Sequence, residues 1–588
     1  MRRSFISAAL AAAALAASLV PATSHADPAT FYVGVAKRDI SPTNAEIATN
    51  SFFLGGYGFG SGRAGTQKHY VSLADQDPSG TLESRTAAGV MGRNADGSDL
   101  IENNPFAPWV RAIAIGDGTH TIVLTDLDNQ GTFASYKPNP STGAVRPYAL
   151  DDIREEASEA TGGALDARSI VVSSDHSHAG QDLTGVWGFV PDEYLQRVKF
   201  LAVSAIVEAY NSMRPAVLRQ SSVETPQPCG AESGSPTRIF NNQFCGTNAL
   251  GDSQINSLVD AQVRVLRAFA VNGSTVASSP FAVFVNAAIH ATVGGGGNHY
   301  VSSDWVSTLS NYLEREYPGS TAVTIVGDVG RTQPNDRSCL NPTGTTFHEP
   351  TSDKDVPFDF DTRAPDSCPI SQFARRVQAW VDRATTGETD VTAAGVDSRE
   401  LFIRDPSTSI VLFGLDYGGD VAGVPIVRGI TPPYLDGTVL GTWVGAYKVG
   451  DLLMLASPGE AYPNIRMGLL DVIDSSKPVW TFGLANDQLG YLIAPFPQGY
   501  PEPIRQSFFN GDPQNPTTWR PDPVGNDNYF FNVSHTIGDH VMCTQIKGAL
   551  QLGFQLKAGA SVPAQCAPWM VEVNESGPGD PTWKPPSP

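Results

Sequence analysis

The stretch Ser169-Ile170-Val171-Val172-Ser173-Ser174-Asp175-His176-Ser177-His178-Ala179-Gly180 constrains this chain more than any other. Its β-branched apolar run predicts a strand buried in a sheet, and the closing glycine marks a turn. Between them stand two of the chain's ten histidines. Side chains alternate along an extended backbone, so an extended path through this segment sets His176 and His178 on one side. A buried strand that ends in paired imidazoles is where a site begins.

Other apolar runs end the same way. Phe281 to Ile289 leads into His290, Thr321 to Val326 into Gly327-Asp328, and Leu452 to Leu455 into Ser457-Pro458-Gly459-Glu460. Val479 to Leu484 leads, after a short loop, into Tyr491. Further strands are predicted for Phe31 to Ala36, Val259 to Ala268, and a hairpin of Trp109 to Ile115 with Thr121 to Leu124 around Gly116-Asp117-Gly118. Helical spacing runs from Leu150 to Ala160, Asp192 to Met213, Asp304 to Tyr317 with Asp304 as N-cap, Ser371 to Ala384, and onward from about Tyr462. Phe53 to Gly60 reads as a tight glycine-rich turn, Ser222 to Asn248 and Pro342 to Pro369 as surface loops, and Ala549 to Leu556 as a last strand. This mixture predicts an α/β fold of mixed β-sheets flanked by helices, in which strand carboxyl ends face the ligand crevice.

Residues 1–26 carry Arg2 and Arg3, an apolar run from Phe5 to Val20 and a small-residue ending at Ala26, the pattern of a secretory signal. The expected division is a signal peptide over 1–26, one catalytic-type domain over 27–570 and a proline-rich tail over 571–588. Without Arg2 and Arg3 the net charge of −21 becomes −23, which opposes binding to nucleic acid or an anionic membrane. No later segment has the length and apolarity of a transmembrane helix, so an exported, soluble protein is expected. The cysteine number, six, is even, and an oxidising compartment favours disulfides. Pairing by proximity gives Cys229–Cys245, Cys339–Cys368 and Cys543–Cys566, one choice among 15.

Two or three imidazoles with one carboxylate form the usual ligand set of a catalytic zinc. His176, His290 and Glu460 can supply it, with His178 on a substrate oxygen or behind a ligand. Each residue also has a purely structural reading. His290 can be a hydrogen-bonded strand-end histidine, Glu460 a charge at a helix N-terminus, Tyr491 a half-buried aromatic and Asp328 a turn residue. The GxSxG elbow and the HExxH helix are both absent.

Taken together, these segments resemble the neutral/alkaline ceramidase family. Ser173 to Gly180 resembles its Ser-Ser-Thr-His-Thr-His-Ser-Gly motif, and Asn286 to Thr292 with Ser303-Asp304 its second histidine motif. Ser457 to Glu460 is similar to its Pro-Gly-Glu motif, and Leu484-Ala485-Asn486 with Gly490-Tyr491 to its tyrosine motif. Looser matches are Gly34 to Pro42 and Gly538-Asp539-His540. The resemblance implies a layered catalytic domain that hydrolyses the amide bond of N-acyl sphingoid lipids through a zinc-activated water. His176, His290, Glu460 and Tyr491 would hold Zn2+, and His178, Asp328 and Thr332 would serve catalysis. The partner would be a lipid-like or other N-acyl small molecule. Where the family reads Gly-Asp-Val-Ser-Pro-Asn, this chain reads Gly327-Asp328-Val329-Gly330-Arg331-Thr332-Gln333-Pro334-Asn335, so the serine is missing and Thr332 is the nearby hydroxyl. The family arginine has only Arg238 as a loose counterpart, and no stretch matches the family's C-terminal immunoglobulin-like domain. Two alternatives stay open: an exported binding protein without turnover, and a zinc hydrolase of another amide or an ester.

Overall fold

The computed structural model describes residues 31–42, 52–56, 107–226, 239–242, 259–294, 301–334, 346–349, 354–357, 367–406, 419–426, 439–493 and 532–571, short gaps inside these spans excepted. The expected signal peptide, the tail beyond 571, Arg238 and the cysteine pairs Cys229–Cys245 and Cys339–Cys368 lie outside the described residues or side chains.

Eight strands form the main path of a ten-stranded sheet: β1 (Phe31–Asp39), β2 (Trp109–Gly116), β3 (Thr121–Leu127), β4 (Ile170–Ser174), β5 (Arg214–Glu224), β6 (Gln262–Asn272), β7 (Ala282–Ala287) and β8 (Thr321–Val326), with the short strands Thr275–Val276 and Thr389–Asp390 pairing off β6 and β5. Their spatial order is β8-β7-β6-β5-β1-β2-β3-β4. The pairs β8–β7 and β3–β4 at the two edges are parallel and those between are antiparallel. A second sheet of order β9-β10-β11-β12 consists of β9 (Val396–Pro406), β10 (Val439–Val449), β11 (Leu452–Ala456) and β12 (Val479–Phe482).

Period-two alternation explains how the sheets stack. Ile113, Ile115, Ile122, Leu124, Phe284 and Ile325 face the second sheet and pack on Tyr447, Met454, Trp480 and Phe482. Their neighbours Ala112, Ala114, Val123 and Val172 face the helices Leu150–Ala160 and Asp192–Asn211. At the other end Val283, Val285 and Val326 meet the helices Trp305–Glu316 and Ser367–Thr385. The outer face of the second sheet, through Val444, Leu453 and Leu455, meets the helices Pro463–Val472 and Ile537–Gln551. Strands sandwiched in this way are apolar on both faces, which is why they read as continuous runs.

One join positions the site. Gly483 N donates to Val326 O at the end of β8 (3.0 Å), and Ser174 N at the end of β4 donates to Leu484 O (3.1 Å). Ser173 Oγ also donates to Gly483 O at 2.7 Å. The segment after β12 thus links the two edges of the large sheet, and strand ends far apart in sheet order meet there.

Several expectations need correction. Ala549 to Leu556 is not a strand: Ile537–Gln551 is a helix that ends near Leu552. It is buried on nearly every side, so it lacks the one-sided spacing that marks a surface helix. Pro342 to Pro369 contains a small hairpin, Thr346–Glu349 with Lys354–Pro357. Part of Ser222 to Asn248 is strand, namely the end of β5 and Phe240–Asn242. The expected Cys543–Cys566 disulfide is present and ties the last helices together. Among the described residues no helix is long and apolar enough to cross a membrane.

Candidate metal centre

β4 ends at Ser174, so the backbone is not extended through the histidines. His176 adopts φ 59°, a left-handed conformation uncommon outside glycine. The turn is held from several sides. Asp175 Oδ1 accepts from Asn129 N (2.9 Å) and Ser177 N (3.1 Å), Ser177 Oγ donates to Ser302 O (2.6 Å), and His178 N donates to Ala291 O (2.9 Å). The imidazoles still converge, with His176 Nε2 and His178 Nε2 3.2 Å apart. Asp304, Leu484 and Asn486 also have positive φ, so four of the five such non-glycine residues described lie in segments that build this region. Backbone held off its preferred conformations clusters at functional sites.

His290 follows β7 and joins the pair: one nitrogen of each of His176, His178 and His290 lies within 4.8 Å of the others. Glu460 follows β11 and aims Oε2 at His290 Nε2 (3.1 Å) and His176 Nε2 (3.2 Å). The short strands Glu460–Ala461 and Tyr491–Leu492 pair in parallel with Glu460 opposite Tyr491, so register sets the tyrosine beside the carboxylate. All of these residues except His178 are at least nine-tenths buried. Gly56 packs beneath His178, since a Cβ there would fall 2.3 Å from its Cγ. Gly56 therefore floors the site, and Tyr57 to Gly60 of the expected glycine-rich turn lie outside the described residues.

Two ring orientations follow from hydrogen bonding. His176 Nδ1 lies 2.7 Å from Gln130 O, and His290 Nδ1 lies 2.8 Å from Thr332 O. A carbonyl only accepts, so each Nδ1 carries the proton and each Nε2 turns its lone pair inward. Anchoring the outer nitrogen in this way is how proteins aim histidine ligands. Burial disfavours the charged form of His290 and outweighs Glu460, which lowers its pKa. Burial also works against the Glu460 carboxylate, but the His176 and His290 rings beside it hold it well below the usual range. Inward lone pairs and a carboxylate oxygen around one point suit a cation. The 3.1–3.2 Å separations are close to the edge of about 3.3 Å of a tetrahedron with zinc–nitrogen bonds of about 2.0–2.1 Å. The donor set therefore fits zinc.

Asp328 and Thr332 sit differently. Asp328 is buried at the end of β8, where burial and Asp260 push its pKa up to about 8 against the pull of Arg466 and Arg264. These groups, with the Thr481 hydroxyl, are the neighbours that act on it most. Thr332 reaches the centre through its backbone carbonyl on His290, while its Oγ1 is buried without a partner among the described residues. Two contributors escaped the sequence reading: Gln130, whose carbonyl orients His176, and Gln488, whose Nε2 lies 3.5 Å from Glu460 Oε1. Neither carried a signal, because a lone glutamine in a loop is unremarkable in sequence.

The stacked sheets and the joined strand ends are those of a neutral ceramidase fold. The chain superposes on the neutral ceramidase from Pseudomonas aeruginosa with a TM-score of 0.56 at 15% identity, covering 91% of this chain and 77% of that one. A second structure, a ceramidase complexed with C2, gives a TM-score of 0.54 at 16% identity with the same coverage. No family model and no curated protein matches the sequence.

Proposed function

We propose that this protein is an exported zinc-dependent amide hydrolase acting on N-acyl sphingoid lipids, a ceramidase in activity as well as in fold. The observation that carries the reading is the convergence of His176, His178, His290 and Glu460 on one point, inside a fold shared with ceramidase structures. His176, His290, Glu460 and Tyr491 are the ligands in this reading. Bound zinc supplies Lewis acidity toward the amide carbonyl and a water with a pKa near 7.

The chain's own groups do the rest. Gln130 O and Thr332 O keep both ring nitrogens in the ligating tautomer. His178, the more accessible imidazole, faces the substrate and donates or accepts at the reacting oxygen. Asp328, at the end of β8, takes the protonated form that burial favours, and Thr332 Oγ1 is the hydroxyl available near His290. Export is supported by the signal-like first 26 residues and the Cys543–Cys566 disulfide. A related reading, hydrolysis of a different N-acyl compound, is favoured by Gly330 at the position of the family serine.

Metal content and hydrolysis of a panel of N-acyl sphingoid substrates, with chelator controls, test the proposal. One zinc per chain and chelator-sensitive release of fatty acid are expected, both lost in His176→Ala. A metal-free wild-type protein that hydrolyses no substrate would sink it.

A further inference from the structure

Gln488 lies against the proposed centre with half of its side chain unaccounted for. Its Nε2 is 3.5 Å from Glu460 Oε1, the oxygen turned away from His176 and His290. A ligating carboxylate only accepts, so this contact settles which end of the amide is which: nitrogen toward Glu460, oxygen away. That oxygen, Gln488 Oε1, is buried and has no hydrogen-bond partner among the described residues, and the residue is 6% exposed. A carboxamide is about 2.2 Å across from nitrogen to oxygen, so Oε1 stays within about 6 Å of the Glu460 carboxylate.

The side chain is also held. A Cβ at Gly131 would fall 2.5 Å from Gln488 Cγ, so the glutamine lies directly on that backbone. Its own N donates to Asp487 Oδ1 at 2.9 Å. Asp487 is fixed in turn by Ala134 N (3.1 Å) and Thr442 Oγ (2.8 Å). A buried acceptor, pre-positioned and unpaired, is built for a donor that arrives from outside.

A secondary amide brings such a donor. Its carbonyl oxygen and its N–H point in opposite directions, so a carbonyl directed at the centre leaves the N–H needing an acceptor on the far side. We infer that Gln488 Oε1 accepts the N–H of the scissile amide while Gln488 Nε2 steadies Glu460, which makes Gln488 the residue selecting secondary amides over esters and tertiary amides. No proton is transferred to it. The inference rests on the proposed hydrolase reading and deepens it. Sites that hydrogen-bond a substrate group reject analogues lacking it strongly, because the buried partner is left unpaired.

The test compares three matched N-acyl or O-acyl substrates, the secondary amide, its N-methyl amide and the corresponding ester, on wild type and Gln488→Met, with zinc content measured throughout. Wild type should hydrolyse the secondary amide at least 30-fold faster in kcat/KM than the N-methyl amide. Gln488→Met, retaining its zinc, should lower the amide-to-ester ratio at least tenfold. An unchanged ratio in zinc-loaded Gln488→Met overturns the inference, even where both activities fall together. So does wild type that hydrolyses the N-methyl amide as well as its parent, a comparison that stands if the variant loses zinc or does not fold. A wild type that hydrolyses none of the three refutes the hydrolase reading itself, and the inference with it.

Discussion

Gly330→Ser inserts the side chain that the ceramidase motif carries at this point, and the structure predicts that it disrupts the site. A Cβ at position 330 would stand 2.4 Å from Tyr462 Cδ1, 2.7 Å from Glu460 O and 2.9 Å from Ala461 O. Two of these atoms are backbone carbonyls and cannot rotate away. Nor can their strand retreat: Glu460 N is bonded to Gly490 O (2.8 Å), Tyr462 N to Leu492 O (3.0 Å), and Gly330 N itself to Ala461 O (3.0 Å). Overpacking a filled interior costs about 1–3 kcal/mol, and backbone contacts on two sides place this case near about 3 kcal/mol. The strand that must shift carries Glu460, so zinc should be lost along with stability. Denaturant midpoint and zinc stoichiometry measure the two effects. A Gly330→Ser protein with the wild-type midpoint, full zinc and raised hydrolysis would show that the space exists and refute the packing argument.

Three further outcomes are expected. Glu460→Ala should abolish stoichiometric zinc binding while circular dichroism stays native, and undiminished zinc would remove Glu460 from the ligand set. Asp328 and Asp487 both have folded pKa values raised to about 8, chiefly by burial, so the folded state holds their protons longer than the unfolded chain and stability falls as pH rises from about 4 to about 8. Asp328→Asn should therefore flatten that decline by up to about 1.4 kcal/mol per pH unit, read from denaturation at several pH values, and an unchanged slope would contradict the burial argument. Replacing Cys543 and Cys566 together by serine releases a crosslink spanning 23 residues and should cost about 3 kcal/mol, seen as an equal loss of wild-type stability under reductant.

The strands that bear the site were legible because burial on both faces leaves continuous apolar runs, and the polar residue ending each run is conspicuous. His176, His290, Glu460 and Tyr491 stood out for that reason. The strands Arg214–Glu224, Val396–Pro406 and Val439–Val449 did not, because charged and glycine positions interrupt their apolar pattern. The convergence of His176 and His178 was anticipated by an argument that fails in detail. Their common direction comes from a left-handed turn held by Asp175 and Ser177, and no alternation rule contains that turn. The roles of Gln130 and Thr332 were illegible for a different reason, since both orient histidines through backbone carbonyls that every residue possesses.

Placement through the backbone lets a fold be shared at 15% identity. The residues of the centre span 176 to 491 in sequence, yet the bonds that gather them are mostly backbone to backbone: Gly483 to Val326, Ser174 to Leu484, Glu460 to Gly490, His178 to Ala291. Such bonds place almost no demand on side-chain identity. Specific side chains are required at few places, among them Asn486, whose Oδ1 accepts from Val172 N (2.8 Å) and whose Nδ2 donates to Glu400 (2.7 Å) while its backbone holds φ 62°. Asparagine tolerates that conformation and supplies both bonds at once. Asn486→Ala should therefore weaken zinc binding from a position that touches no proposed ligand. Intact zinc affinity in a folded Asn486→Ala protein would mean that the join between the sheet edges does not govern the geometry of the centre.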